Sequence, residues 1–192
     1  MSEKPIPPRP IPPRPGRGAL EARLAEILRV DHAGELGAVH IYRGQRAVLG
    51  AARGRERIAG QLAEMEGHEQ VHLARFDAIL TERGVRPTAM VPLWRLAGFA
   101  LGAGTALLGE KAAHACTEAV ETVIEAHYAG QIAELADREP ALAAELSQFR
   151  DEELAHCDQA VAEGAKEAVG YPLLASVIRA GCRAAILISE KL

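Results

Sequence analysis

Four glutamates and two histidines in this 192-residue chain have a spacing that suits metal chemistry. Glu69 and His72 form one Glu-x-x-His, and Glu153 and His156 form another. Glu35 lies 34 residues before Glu69, and Glu121 lies 32 residues before Glu153. On a helix, residues three apart share a face, so each Glu-x-x-His presents a carboxylate and an imidazole together. The motif pair by itself says little. With 21 glutamates in the chain, roughly one histidine in nine has a glutamate three places before it by chance. The weight comes from the order of the residues, the near-equal intervals and the stripes on which they fall.

Those stripes are helical. After Ala19 only four prolines remain (Pro87, Pro92, Pro140, Pro172), between long stretches of Ala, Leu, Glu and Arg with apolar spacing near 3.6. The pattern predicts helices at about 20–49, 55–83, 91–108, 110–137, 140–165 and 171–190, and no strand, so the fold class is all-α. Glu35 sits in the stripe Leu24, Leu28, Val39, Tyr42, Leu49, and Glu69 with His72 in the stripe Leu62, Met65, Phe76, Leu80. Glu121 is surrounded by Thr117, Ile124, Tyr128, Ile132 and Leu135, and Glu153 with His156 by Leu142, Leu146, Phe149 and Ala160. Four helices thus each point a carboxylate at the core, and two halves of matched length suggest a duplicated helical hairpin.

An ionised carboxylate in an apolar core costs several kcal/mol unless it is paired. Four together repel one another. Two divalent cations remove the problem: four carboxylates balance two M²⁺, and two neutral imidazoles complete the set. This order of ligands is that of di-iron carboxylate bundles. Mixed O/N donors favour iron for redox work, and manganese fits the same donors. The competing reading is four core carboxylates that are each satisfied separately. Among the flanking acids, Glu118, Glu125 and Glu152 are offset from the stripes and are expected in solvent. Asp31, one turn before Glu35, is placed to accept a hydrogen bond from a ligand histidine or to lie on the helix surface. His32, His40, His68 and His114 show no ligand spacing and read as ordinary.

Composition removes several classes. The net charge is −4, with 22 basic and 26 acidic residues, so there is no electrostatic footprint for nucleic acid. Cys116, Cys157 and Cys182 are far apart with no C-x-x-C, which speaks against a disulfide framework or an iron–sulfur motif. Residues 1–18 read as a disordered, proline-rich leader built on a repeated IPPRP, with a PxxP ligand as the alternative, and residues 19–192 as one domain. No secretory signal pattern is seen. The longest uncharged run, Leu96 to Gly109, has 14 residues, fewer than the about 20 apolar residues a spanning helix needs. Helices 3 and 6 are nonetheless more apolar than a metal bundle requires. Arg95, Arg179 and Arg183, with Trp94 and Tyr171 near the helix starts, suit a lipid interface. A buried helix pair or a homodimer seam fits as well. Gly98-x-x-x-Gly102 permits a close helix approach.

Longer blocks carry a resemblance. RVDHAGELGAVHIYRGQ (29–45), RPTAMVPLWRLAGFALGAGTALLGEKAAHACTEAVE (86–121), HYAGQI (127–132), FRDEELAH (149–156) and AGCRAAILISEKL (180–192) closely resemble the demethoxyubiquinone hydroxylase (Coq7) family across nearly all of the chain after the leader. Arg43 departs from the residue types more usual there. The resemblance implies a ferritin-like four-helix di-iron bundle with two additional, membrane-facing helices. It implies two Fe ions per chain, O₂ as co-substrate and NADH or the quinol itself as reductant. The implied reaction is hydroxylation of a polyprenyl methoxy-methyl-benzoquinol, 3-demethoxyubiquinol, in ubiquinone biosynthesis. The implied ligands are Glu35, Glu69, His72, Glu121, Glu153 and His156, with Glu69 and Glu153 bridging, and His127 falls where the family has a pocket histidine near the quinone. The implied setting is peripheral, on the cytoplasmic face of the cell membrane, with a homo-oligomer or a ubiquinone-biosynthesis complex as the assembly. The alternative function is a ferritin-like iron-storage protein without monooxygenase activity.

Overall fold

The computed structural model describes residues 18–50 and 53–192. The reading of residues 1–17 as a proline-rich leader lies outside the described residues. Six α-helices account for most of the rest: α1 (Ala19–Leu49), α2 (Glu56–Glu82), α3 (Val91–Leu107), α4 (Glu110–Leu135), α5 (Pro140–Ala162) and α6 (Tyr171–Lys191). No strand occurs among the described residues. Pro92, Pro140 and Pro172 stand in the first turns of α3, α5 and α6, where a missing N–H breaks no helical bond. Helix α5 stops three residues sooner than the periodicity predicts. Gly164 adopts φ 88, a left-handed conformation that ends the helix, and a 3-10 turn at Ala165–Glu167 follows.

Helices α1 and α2 pack as one hairpin and α4 and α5 as a second, with α3 bridging them. The bundle core divides into two apolar plugs. One joins Leu24, Leu28, Phe76, Leu80, Leu135, Leu146 and Phe149; the other joins Tyr42, Leu49, Ile58, Leu62, Met65 and Ala113. Glu35 lies between Leu28 and Tyr42 along α1, and Glu69 and His72 lie between Met65 and Phe76 along α2. The carboxylate stripes therefore meet in a layer capped by hydrocarbon at both ends.

Helices α3 and α6 lie outside the four-helix core. α3 runs along α1, and α6 packs on α4 and α1. Ala175 and Ile178 of α6 sit against Cys116 and Val120 of α4, and Arg179 bonds Glu118 of α4. Glu118, expected in solvent, is instead buried, because this guanidinium gives its carboxylate a partner. The outer faces stay apolar: Leu96 is 68% exposed, Leu173 73% and Leu187 64%. A well-buried pair is thus overturned for these two helices. α6 is also long and apolar enough to cross a membrane by length and composition, with a mean hydropathy of 1.5.

Glycine sets how closely α3 approaches α1. A Cβ on Gly102 would sit 1.9 Å from the Ile41 carbonyl oxygen, and one on Gly98 would sit 2.8 Å from that of Gly37. On the other side, a Cβ on Gly44 would meet the Phe99 carbonyl oxygen at 2.2 Å. No side chain fits at that separation. Gly104, two residues on, faces open space. Gly102→Ala is expected to lower unfolding stability by about 1–3 kcal/mol through overpacking, whereas Gly104→Ala in the same helix raises it by about 0.5–1 kcal/mol. Urea denaturation of both variants checks this; equal effects would contradict the close approach.

Candidate metal centre

The six side chains come from four helices: Glu35 from α1, Glu69 and His72 from α2, Glu121 from α4, Glu153 and His156 from α5. All six are buried, and both Glu69 and Glu153 have no exposed surface. They converge into two overlapping groups, Glu35, Glu69, His72, Glu153 and Glu69, Glu121, Glu153, His156. Within each group one donor atom per residue lies within 4.8 Å of the others. Glu69 and Glu153 belong to both.

The contacts around the imidazoles are close but not hydrogen bonds. His72 Nδ1 lies 3.3 Å from Glu35 Oε2 and 3.2 Å from Glu153 Oε1. His156 Nδ1 lies 3.1 Å from Glu69 Oε1 and 3.4 Å from Glu153 Oε2. Yet neither ring nitrogen makes a hydrogen bond, nor do Glu35 Oε2, Glu121 Oε2, or either oxygen of Glu69 and Glu153. A ring nitrogen donates or accepts only along its in-plane axis. At these distances the rings and carboxylates lack the alignment a hydrogen bond needs. A buried polar atom without a partner costs about 1–3 kcal/mol, and here they cluster in one place. Two divalent cations would give every one of them a partner, so the donor set fits a metal pair.

Electrostatics agree. Burial, together with Glu153 and the other site carboxylates, pushes Glu69 well above the usual carboxylate range. Glu121 is raised likewise, by burial first and Glu153 next. Burial also works to raise Glu153, but His156 and His72 outweigh it and bring it to about 2. Burial opposes charge on His72, yet Glu153 and Glu35 hold its pKa at about 11. Without a cation, the proton held by His72 and the upward push on Glu69 and Glu121 both act against four full negative charges in one layer.

Around this layer a second ring of residues holds the ligating groups. The Tyr42 hydroxyl donates to Glu121 Oε1 at 2.8 Å, and the Tyr128 hydroxyl donates to Glu35 Oε1. Each of these glutamates thus keeps one oxygen for the centre. The sequence reading took both tyrosines for apolar stripe residues. Their common offset of seven residues, two helical turns beyond Glu35 and beyond Glu121, was the available signal. On the far side of the imidazoles, His72 Nε2 meets Glu152 Oε2 at 2.7 Å and His156 Nε2 meets His68 Nδ1 at 3.1 Å. Glu152 is exposed as expected but is not idle. His68, expected to be ordinary, is a neighbour of the site. Glu125 pairs with Arg150.

His127 is in neither metal group. It lines a cavity of about 440 Å³ between α1, α3, α4 and α6. The walls are apolar, with Trp94, Ala97 and Leu101 from α3 and Val177, Ile178 and Ile186 from α6. Asp31, Glu35, His127 and Tyr128 supply most of the polar lining, so the cavity shares Glu35 with the metal layer. The Gln131 amide donates to Asp31 Oδ1 at 2.7 Å and reaches His127 Nε2 at 2.8 Å. Asp31 therefore serves the cavity, not a ligand histidine. Burial lowers the pKa of His127, and burial raises that of Asp31 well above the ordinary carboxylate range against the opposing hydrogen bond from Gln131.

Comparison with known proteins agrees with this architecture. Residues 22–189 match the family described as ubiquinone biosynthesis protein COQ7. A Rhodospirillum rubrum protein named 3-demethoxyubiquinol 3-hydroxylase is 51% identical over 177 residues, covering 92% of this chain and 82% of the relative. The human protein named NADPH-dependent 3-demethoxyubiquinone 3-hydroxylase, mitochondrial, is 48% identical over 175 residues, covering 89% and 79%. A Saccharomyces cerevisiae protein named 5-demethoxyubiquinone hydroxylase, mitochondrial, is 40% identical and covers 91% and 80%. Nearly the whole helical domain lies inside the match, and the chain belongs to the COQ7 family of ubiquinone-biosynthesis proteins.

Proposed function

We propose that this chain is a di-iron monooxygenase that hydroxylates the ring of a polyprenyl demethoxyubiquinol in ubiquinone biosynthesis. The observation that carries the reading is the layer of buried, unpartnered donors on Glu35, Glu69, His72, Glu121, Glu153 and His156, joined through Glu35 to an apolar cavity. Glu35 and His72 would hold one cation and Glu121 and His156 the other, with Glu69 and Glu153, common to both groups, available to each. A bound iron pair supplies reductive activation of O₂, so that one oxygen atom enters a ring C–H bond and the other leaves as water. The human relative's name specifies NADPH, so a reduced nicotinamide, rather than NADH in particular, is the proposed source of the two electrons.

The protein's share of the work is positional. Tyr42 and Tyr128 fix the carboxylate rotamers, and the two apolar plugs exclude bulk water. A quinol ring in the cavity lies beside Glu35, with Asp31 and His127 available for its oxygen substituents. His127 is therefore placed as a substrate-contacting residue. A polyprenyl tail is insoluble in water and has to be drawn from lipid. The exposed apolar faces of α3 and α6, which also wall the cavity, support peripheral attachment to a membrane at that side. Arg179 on α6 bonds Glu118 of α4, which keeps α6 on the bundle instead of releasing it to span. The same exposed faces disfavour an iron-storage cage, which needs polar outer surfaces.

Three results are expected. The purified protein carries about two irons per chain, and Glu69→Ala, which removes a carboxylate common to both groups, loses most of this metal on elemental analysis. A strain whose own copy carries Glu69→Ala accumulates the demethoxy quinone; an unchanged quinone profile would remove the substrate assignment. Metal loading also releases protons, because Glu69 and Glu121 are raised and His72 stands at about 11 before a cation binds. Each proton displaced at neutral pH makes affinity fall about tenfold per unit of acidification. Calorimetric titration with metal in buffers of different ionisation enthalpy measures the release, and a value of zero would contradict it.

A further inference from the structure

We propose that the two halves of the metal layer are inequivalent because their imidazoles have different outer partners. Glu152 positions His72 and His68 positions His156, so the cation beside His72 binds first and more tightly. The inference rests on the two-cation reading above and concerns how the chain divides affinity between its two positions.

The outer partners follow one rule. The residue immediately before the glutamate in each Glu-x-x-His supports the histidine of the other motif. Glu152, before Glu153 on α5, meets His72 of α2; His68, before Glu69 on α2, meets His156 of α5. The tyrosine contacts obey the same cross-helix rule, and there both halves use the same residue type, Tyr42 on Glu121 and Tyr128 on Glu35. The imidazole partners, by contrast, differ in residue type between the two halves.

Their chemistry differs. In both rings Nδ1 faces the carboxylates, so a neutral ligand imidazole carries its proton on Nε2 and donates outward. His72 donates to a carboxylate at 2.7 Å. His156 donates to the lone pair of another imidazole at 3.1 Å, with ring centroids 5.3 Å apart and planes inclined by 11°, so the two rings meet edge to edge. A charge-assisted bond is shorter and roughly twice as strong as a neutral one, and an anionic acceptor raises the basicity of the ligating nitrogen. His68 orients its partner without adding charge. Glu152 does both.

Both outer residues are exposed, so replacing them removes no core packing. The test is stepwise Co²⁺ titration of the metal-free full-length protein, followed by calorimetry and visible absorption. Wild type is expected to bind two Co²⁺ with separable affinities. Glu152→Ala is expected to weaken the tighter step by about 10–100-fold while the weaker step moves by no more than about threefold. Glu152→Gln, whose amide oxygen still accepts, falls between. His68→Phe, which keeps a planar aromatic ring but no acceptor, weakens only the looser step and alters only its absorption band. Two bound Co²⁺ with affinities unchanged in Glu152→Ala, or both steps weakened alike, would overturn the inference and leave the two-cation reading standing. Failure of wild type to bind two Co²⁺ would overturn that reading, and this one with it.

Discussion

Anions that cannot reach water set the terms for the rest of this fold. Glu35, Glu69, Glu121 and Glu153 are buried between two apolar plugs, and among the described residues no arginine or lysine is paired with any of them. Their closest basic neighbours are the imidazoles of His72 and His156, whose inner nitrogens lie within 3.4 Å of carboxylate oxygens without bonding them. Protons on Glu69, Glu121 and His72 can offset part of this charge, but they leave the donor atoms unpartnered. Buried polar groups are nearly always satisfied in stable proteins, so a cluster of unsatisfied ones identifies a ligand. Its multiplicity and O/N composition are those of a set that could hold metal ions.

The surrounding structure holds that layer in place. Tyrosines two turns from the terminal glutamates tie α1 to α4 in both directions, and the residues before each bridging-position glutamate tie α2 to α5. The glycines of α1 and α3 then bring a fifth helix within backbone contact of α1. That close approach, with α6 on the other side, forms a cavity wall that is apolar except where it touches Asp31, Glu35, His127 and Tyr128. The apolar wall of the cavity and the exposed apolar surface thus come from the same two helices.

Spacing was enough to find the inner six residues, because a helical period of 3.6 projects Glu35, Glu69, His72, Glu121, Glu153 and His156 onto apolar stripes. The helix ends were legible to within a few residues, except after Ala162, where the left-handed Gly164 acts and a periodicity argument does not see it. The outer partners were hidden for a geometric reason. Whether Glu152 or His68 touches an imidazole depends on how two helices rotate against each other, which a one-helix stripe does not encode. The buried Glu118 was hidden likewise, since its burial rests on Arg179, 61 residues away on another helix. For Asp31 neither a ligand histidine nor the helix surface proves right: it is buried on Gln131, one helix across, and no local pattern pairs them.

The most direct measurement is anomalous diffraction at the iron edge from a crystal of the iron-loaded protein. Paired iron peaks are expected inside the space bounded by the six side chains, each beside one imidazole and both beside Glu69 and Glu153. Peaks lying elsewhere, or a single cation bound at the surface with the four carboxylates left as they are, would contradict the claim that cations neutralise this buried charge.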